Sequence, residues 1–324
     1  MPGKEGTLRT LQSISCVVPC YNEARSLERL IPLLSQVLSG LAPRWEIVLV
    51  DDGSSDETAL RMPQWCQQPG VRGVQLSRNF GKEAALTAGL QAAHGQVVVM
   101  MDSDLQHPPA LLDTFVRHWR AGADVVYAIR EDRGSETTFK RTGVHWFYRL
   151  INGSDRFDVP AGAGDFRLMD RAVVQALLAL PERNRFMKGL YAWVGFESVA
   201  VPYVPEDRQH GSSHFSKLRL IRLALDGLTA FTVWPLRAVI ALGFFLAVAA
   251  FGYGAYLTAV YLLYGHDVSG WTTIVVSLML FVGIQLVSLG VVGEYVGRIY
   301  EEVKRRPLYV VRRELGHGLG KDGR

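Results

Sequence analysis

Residues 97–109 have the sequence VVVMMDSDLQHPP, in which two aspartates follow an uninterrupted apolar run. The five apolar residues 97–101 predict a buried β-strand, so Asp102 and Asp104 should lie at its carboxyl end. Two neighbouring carboxylates repel each other unless a cation lies between them, and a hard divalent cation that also binds phosphate oxygens meets that need. A chance Asp-x-Asp and a helix-capping turn are the alternatives for this pair taken alone.

The first 130 residues alternate short apolar segments with amphipathic ones. Strands are predicted at 14–19, 46–50, 71–76, 97–101 and 124–129, and helices at 24–39, 56–67, 81–93 and 109–120. This rhythm predicts an α/β fold, a Rossmann-like, mostly parallel sheet with helices on both faces. Ligands of such sheets bind beyond the carboxyl ends of the strands.

Polar motifs follow the first three predicted strands at that edge. Tyr21-Asn22-Glu23 follows the first strand, Asp51-Asp52-Gly53-Ser54 the second and Ser77-Arg78-Asn79 the third. Singly, each has an ordinary explanation, since Asp-Gly-Ser is a common turn and Asp56 is a good helix N-cap. Together with the aspartate pair they predict a ligand site at one edge of the sheet.

Two long stretches in the last third of the chain carry no charged residue. They are residues 238–264 and 271–293, and each exceeds the roughly 20 apolar residues that cross a bilayer. Buried core helices are the alternative, but such helices are rarely this long without a charge. We therefore predict a two-helix transmembrane hairpin.

The basic residues predict how this hairpin is oriented. Arginines and lysines precede the first stretch and follow the second, whereas the connecting loop 265–270 has none. The positive-inside rule then places both termini and the predicted α/β domain in the cytoplasm of a multi-pass inner-membrane protein. The net charge of +4 lies mostly beside the membrane, which suits an anionic lipid surface and not a nucleic acid.

Four motifs follow one another along the chain: PCYNE at 19–23, DDGSSD at 51–56, NFGK at 79–82 and DSDLQHPP at 102–109. In this order they resemble the motifs of glycosyltransferase family 2. Residues 12–312 are similar in particular to the bacterial polyprenyl-phosphate glycosyltransferases, and GDFRL at 164–168 with GEYVGRIY at 293–300 points to their bactoprenol glucosyltransferase branch. The resemblance implies the GT-A fold, in which an Asp-x-Asp holds a metal-bound nucleotide sugar.

The resemblance also implies roles for individual residues. Asp104 would bind Mg²⁺ or Mn²⁺ directly, with Asp102 on the ribose or on a second coordination site. The residues expected to bind the nucleotide sugar, a pyrimidine nucleotide such as UDP, are Pro19, Tyr21, Glu23, Asp51, Asp52, Lys82 and Asp102.

Asp165 matches the aspartate that the family treats as catalytic in an inverting displacement. A sugar hydroxyl would need a general base, whereas a polyprenyl phosphate with a second pKa of about 6 is already ionised. Asp165 is therefore expected to be catalytic, either as a base or as a group that orients the sugar. The alternative is an N-cap of the helix predicted at 172–180.

The acceptor phosphate needs cations close to the membrane. The candidates are Arg130, Arg133, Lys140, Arg141 and Arg208, together with Ser213. The resemblance places Arg208 near the phosphates, and a planar guanidinium suits them. The aromatic and basic segment near 140–150 predicts either an interfacial helix or an ordinary amphipathic helix on the sheet.

These observations divide the chain into four parts. We predict a cytoplasmic GT-A catalytic domain at 1–213, a juxtamembrane interfacial helix region at 214–237, two transmembrane helices within 238–293 and a cytoplasmic basic tail at 294–324. The chain lacks a clear Gln-x-x-Arg-Trp, the motif of processive family 2 synthases, so a single transfer is favoured. Small residues in the first apolar stretch permit close helix packing and a homo-oligomer.

The leading hypothesis is transfer of one hexose, glucose from UDP-glucose, to undecaprenyl phosphate. The same architecture with GDP-mannose, a UDP-N-acetylhexosamine or a UDP-aminoarabinose-type donor is the first alternative. A non-catalytic transport or scaffold subunit is the second, although apolar stretches without ionisable residues argue against a transport path.

Overall fold

A computed structural model describes residues 9–130, 163–183, 185–204, 234–264 and 270–320. Within these ranges the chain forms one eight-stranded sheet and eight helices. The strands are β1 (Ser13–Cys20), β2 (Arg44–Asp51), β3 (Val71–Leu76), β4 (Val97–Met100), β5 (Val125–Arg130), β6 (Ala163–Asp170), β7 (Ser198–Tyr203) and β8 (Val311–Leu315). The helices are α1 (Ala24–Leu41), α2 (Thr58–Trp65), α3 (Lys82–Ala92), α4 (Leu111–Arg120), α5 (Arg171–Ala179), α6 (Met187–Trp193), α7 (Trp234–Tyr264) and α8 (Trp271–Val303).

The sheet is mixed but mostly parallel. Its strand order is β7-β5-β6-β4-β1-β2-β3-β8. β1 pairs in parallel with β2 and β4, β2 with β3, and β5 with β7. β6 is antiparallel to β4 and β5, and β8 is antiparallel to β3. The predicted α/β class and the five strands predicted from the sequence are confirmed.

Helices cover both faces of the sheet. One apolar cluster joins one face to α1, α2 and α4, and a second joins the other face to α3, α5 and α6. Because both faces are covered, the central strands are continuous apolar runs and not alternating ones. Cys16, Cys20 and Cys66 are buried free thiols, and burial raises the pKa of Cys16 to about 12.

The described residues after the apolar helices do not form a separate tail. The sequence predicted that the second membrane helix ends near 293 and that residues 294–324 form a basic tail. Instead α8 continues to Val303, and β8 joins the sheet beside β3. The segment that follows the apolar helices is thus part of the domain that contains the sheet.

Two helices are long and apolar enough to cross a membrane. Their candidate spans are Ala238–Val260, with mean hydropathy 2.1, and Leu280–Val303, with mean hydropathy 1.6; neither is buried by the rest of the described chain. The helix α8 contains the whole of the predicted second stretch, 271–293. Most of the interfacial region predicted at 214–237 lies outside the described residues, since α7 begins at Trp234.

Candidate active site

The loops that follow β1 and β2 are joined by Asn22. Its side-chain oxygen accepts hydrogen bonds from the backbone N–H groups of Ser55 (2.9 Å) and Asp56 (3.2 Å), and its own N–H donates to Ser54 Oγ (2.9 Å). Asn22 has a φ of 59°, a conformation that asparagine adopts more readily than most residues. Sequence reasoning gave Asn22 no role, although an asparagine at a strand end is a recognisable signal for such a turn.

Asp51 and Asp52 organise the next pair of loops. Asp52 accepts hydrogen bonds from the N–H groups of Phe80 (2.7 Å) and Gly81 (2.9 Å), which ties the β2 loop to the start of α3. Burial raises the pKa of Asp52, and these two hydrogen bonds oppose the shift. Asp51 accepts the N–H of Ser54 at 2.9 Å. Asp51 is 2% exposed and Asp52 is 4% exposed. Their predicted contact with a nucleoside would therefore use the carboxylate lone pairs that these hydrogen bonds leave free.

The other residues predicted to frame the nucleoside differ in how far they reach the surface. Pro19 is buried within β1, whereas Tyr21 is exposed and available to stack on a ligand. Glu23 holds the N-cap position of α1; its carboxylate accepts from Ser26 Oγ at 2.6 Å. Their nucleotide contacts stay predictions.

Lys82 joins the aspartate motif to Asp165. Its ammonium lies 2.6 Å from Asp102 Oδ1 and 2.7 Å from Asp165 Oδ2, so one cation serves two carboxylates. Burial opposes the charge on Lys82, but Asp165 and Asp102 outweigh it and raise the pKa of the lysine. Lys82 in turn lowers the pKa of Asp165 against the effect of burial. Lys82 and Asp165 are therefore both charged at neutral pH.

Asp165 lies in β6, so its alternative role as a helix N-cap is wrong. Asp170 caps α5, accepting the N–H of Ala172 at 3.0 Å. β6 was not predicted from the sequence, and it carries Asp165 past the carboxyl end of β4 because the two strands are antiparallel.

Asp102 and Asp104 could bind a divalent cation if the phosphates of a substrate supplied further ligands. Asp104 accepts the N–H of Gln106 at 3.2 Å, and between them Leu105 has a φ of 60°, a strained value for a bulky residue. Among the described residues, no group of three or more His, Cys, Asp or Glu side chains forms a complete metal site. Mg²⁺ commonly binds one or two carboxylates plus substrate phosphates, and Asp102 with Asp104 matches that donor set.

A buried charged layer lies behind Asp165. Arg167 is two residues along β6, hence on the same face, and its guanidinium carbon lies 3.4 Å from the ring centroid of Tyr191. Burial lowers the pKa of Arg167, which donates to the carbonyl oxygen of Gly164 at 2.7 Å. Burial, and then Asp165, raise the pKa of Glu83 to about 7. Sequence reasoning gave no individual role to Arg167, Tyr191 or Glu83. The spacing of Asp165 and Arg167, which places both on one face of a strand, was a usable signal for Arg167.

His107 connects the aspartate loop to β6. Its ring stacks on Phe166 with centroids 4.8 Å apart, and the ring of Tyr203 is 5.6 Å away. Burial lowers the pKa of His107, so the imidazole is neutral at physiological pH. This packing holds the loop that carries Asp104 against the strand that carries Asp165.

The predicted phosphate-binding set is placed only in part. Arg130 is exposed at the carboxyl end of β5, paired in register with Tyr203. The other members, Arg133, Lys140, Arg141, Arg208 and Ser213, lie outside the described residues. Their role stays a prediction.

The chain matches known glycosyltransferases along most of its length. The model of glycosyl transferase family 2 matches residues 15–178. An uncharacterised glycosyltransferase of Synechocystis is 44% identical over 300 residues, covering 92% of this chain and 94% of that protein. A prophage-derived bactoprenol glucosyl transferase of Shigella flexneri is 40% identical over 301 residues, covering 93% of this chain and 97% of that protein.

Proposed function

Because the chain belongs to glycosyl transferase family 2 and is a glycosyltransferase, we propose that it moves one glucose from UDP-glucose to a polyprenyl phosphate such as undecaprenyl phosphate. The observation that carries the proposal is the joint placement of Asp102 and Asp165 on the Lys82 ammonium, with Asp104 two residues after Asp102 in the same loop. The similarity to bactoprenol glucosyl transferases of Shigella supports the choice of sugar and lipid.

The donor would bind at the carboxyl edge of β1, β2 and β4. Asp102 and Asp104 would hold Mg²⁺ or Mn²⁺, which when bound neutralises the diphosphate and the charge that grows on the leaving UDP. Lys82 adds a permanent positive charge beside this position. Tyr21 and Glu23 lie at the edge where the nucleoside would lie.

The acceptor chemistry explains why Asp165 is held in its charged form. A phosphate oxygen of the lipid would attack C1 of glucose as the bond from C1 to the UDP oxygen breaks, which inverts the configuration at C1. The attacking oxygen needs no general base at neutral pH. Asp165, kept ionised by Lys82, would instead accept hydrogen bonds from sugar hydroxyls and orient C1 toward the lipid.

The lipid acceptor requires access from the membrane. α7 and α8 would anchor the enzyme as a two-span protein with its catalytic domain at the cytoplasmic face, which the basic flanks support. Arg130 would be among the cations that receive the phosphate as it leaves the headgroup region.

Transfer of radiolabelled sugar into the lipid phase tests this function. Detergent-solubilised protein is incubated with undecaprenyl phosphate and UDP-glucose, with Mn²⁺ or with EDTA, beside the variants Asp104→Asn and Asp165→Asn. We expect metal-dependent glucosyl transfer that both variants lose. Transfer only from GDP-mannose, a UDP-N-acetylhexosamine or a UDP-aminoarabinose-type donor would replace glucose with that sugar. Absence of turnover with every donor would contradict the enzymatic function.

A further inference from the structure

The segment after the apolar helices is bound to the catalytic domain at several points between Tyr309 and Leu319. Val310 O accepts the N–H of Ser77 at 2.9 Å, and β8 then pairs with β3 so that Arg313 faces Gln75. Further on, the N–H of Leu319 donates to the buried carboxylate of Glu46 at 2.8 Å. These contacts reach both ends of the sheet, so β8 is a firmly held edge strand.

Gln75 stands between this edge strand and the candidate donor site. Its side-chain NH₂ donates to Asp51 Oδ2 (3.3 Å) and to the carbonyl oxygen of Ala59 (3.0 Å), and its amide oxygen accepts from Arg313 Nε. Gln75 is 3% exposed, and these three partners use both amide hydrogens and the oxygen.

Arg313 therefore determines which way the Gln75 amide is turned. With the guanidinium present, the amide oxygen faces the cation and the NH₂ group faces Asp51. The flipped amide would point its oxygen at the Asp51 carboxylate and its NH₂ at the guanidinium, two unfavourable contacts in a buried place. Without Arg313, the buried oxygen would lose its partner, and one of the two penalties against the flip would disappear.

We propose that Arg313 is a positioning residue for the donor nucleotide: through Gln75 it holds Asp51, so that the strand returning from the apolar helices sets the affinity of the site for UDP. The proposal rests on the proposed function, since it assumes that UDP binds beside Asp51. Asp51 also holds the turn after β2 through the N–H of Ser54, so a shift of its carboxylate would move that turn.

The docking of β8 does not depend on the Arg313 side chain alone. The backbone pairing with β3 remains, as do the ion pair of Arg72 with Glu314 at 2.5 Å and the bond of Leu319 to Glu46. Loss of the guanidinium should therefore change the amide network and leave the strand in place. The adjacent Arg312 is exposed and lies at the bulge of the pairing, so Arg312→Met is a matched control that removes the same charge.

The test measures UDP binding to the full chain in detergent by titration calorimetry with Mn²⁺. We expect Arg313→Met to raise the Kd for UDP about tenfold, as is typical when an outer partner of a ligand-holding carboxylate is lost. Arg312→Met should bind like the wild type, and Arg313→Lys should recover part of the affinity. In transfer assays, Arg313→Met should raise the KM for the donor without changing the KM for the lipid.

A double-variant cycle tests the path through Gln75. Gln75→Leu should weaken UDP binding as Arg313→Met does, and the double variant should be no weaker than either one, because both act on the same contact. Wild-type affinity in Arg313→Met, equal weakening in Arg312→Met, or fully additive losses would each overturn the proposal. A wild-type protein that binds no UDP would instead overturn the proposed donor. Arg313→Met could also weaken UDP binding by destabilising the protein, which a lower melting temperature would show. In that case Arg313→Lys becomes the test: if it is as stable as the wild type but binds UDP no better than Arg313→Met, the proposal is overturned.

Discussion

Carboxylates lie at both ends of the parallel strands, and they are held in opposite ways. At the amino end, Glu46 is completely buried and accepts hydrogen bonds from Ser15 Oγ (2.6 Å) and from the N–H groups of His94 (2.7 Å) and Leu319 (2.8 Å). At the carboxyl end, Asp102 and Asp165 share the Lys82 ammonium. The first arrangement is closed by fixed donors, two of them backbone groups.

The difference separates a structural carboxylate from an exchangeable one. The partners of Glu46 cannot leave without unfolding the local chain, so a ligand has no access to it. The Lys82 side chain is long and partly exposed, so another cation can take its place on Asp102 while the fold stays intact. Both ends of the strands hold carboxylates, and the kind of partner distinguishes them. Fixed hydrogen-bond donors mark Glu46 as structural, whereas a replaceable side-chain cation marks Asp102 as a ligand-binding residue.

The largest expected effect concerns chemistry at the carboxyl end. Asp165→Asn keeps the shape of the side chain but removes the charge that orients the sugar, so we expect kcat to fall by at least about 10²-fold while the Kd for UDP stays near the wild-type value. Steady-state transfer kinetics and UDP calorimetry measure the two quantities. A kcat within a few-fold of the wild-type value would show that Asp165 has no catalytic role. It would also weaken the contrast between the carboxylates at the two ends of the parallel strands.

The next effect concerns stability at the amino end. Glu46→Ala leaves three donors without an acceptor, each of which costs about 1–3 kcal/mol when buried, so we expect a loss of at least about 3 kcal/mol. Thermal unfolding in detergent should show a melting temperature lower by several degrees. Glu57→Ala, which removes only an exposed ion pair with Arg61, should cost no more than about 1 kcal/mol. Equal losses in the two variants would contradict the structural role of Glu46.

A smaller effect is expected where two loops of the carboxyl end touch. Gly53 has a φ of +70°, and a Cβ there would lie 2.3 Å from the backbone carbon of Arg78, so Gly53→Ala must displace the loop that Asp52 holds. We expect a cost of about 2 kcal/mol and weaker UDP binding. Gly122→Ala also has a positive φ, of +118°, but its Cβ would meet nothing within 4 Å. It should therefore show backbone strain alone and bind UDP normally.

The last effect is a pH dependence that Glu83 introduces. The pKa of Glu83 rises from 4.5 to about 7 on folding, so the folded state binds this proton more tightly and its stability falls as the pH rises between those values. Glu83→Gln cannot titrate, so its melting temperature relative to the wild type should rise from pH 5 to pH 7 and level off above. A difference that does not vary with pH would show that Glu83 is not buried in the way described.

Strands β1 to β5 could be predicted because they are mostly continuous apolar runs, whereas β6, β7 and β8 were not predicted. β6 and β8 escaped prediction for a physical reason, since each carries charged residues inside a strand. In β6, Asp165 and Arg167 alternate with apolar residues because one face lines the site. β8 is an edge strand with mostly exposed side chains, and its place depends on partners more than 200 residues away. Local patterning contains no information about such pairings.

The candidate site, like the fold, has a part that could be predicted from the sequence and a part that could not. The motifs placed Asp102, Asp104 and Asp165 together, because the resemblance carried their roles. The contacts that connect them did not follow from motifs, since the bridging position of Lys82, the stack of His107 on Phe166 and the amide of Gln75 arise only when separate elements meet.

Donor binding in the presence and absence of metal tests the central claim most directly. UDP-glucose is titrated into the wild type, Asp104→Asn and Asp113→Asn, with Mn²⁺ and with EDTA; Asp113 is an exposed aspartate of α4 that loses the same charge. We predict metal-dependent binding in the wild type and in Asp113→Asn, and its loss in Asp104→Asn. Equal binding by all three proteins, or binding that EDTA does not change, would contradict a cation-held donor at the carboxyl edge of the sheet.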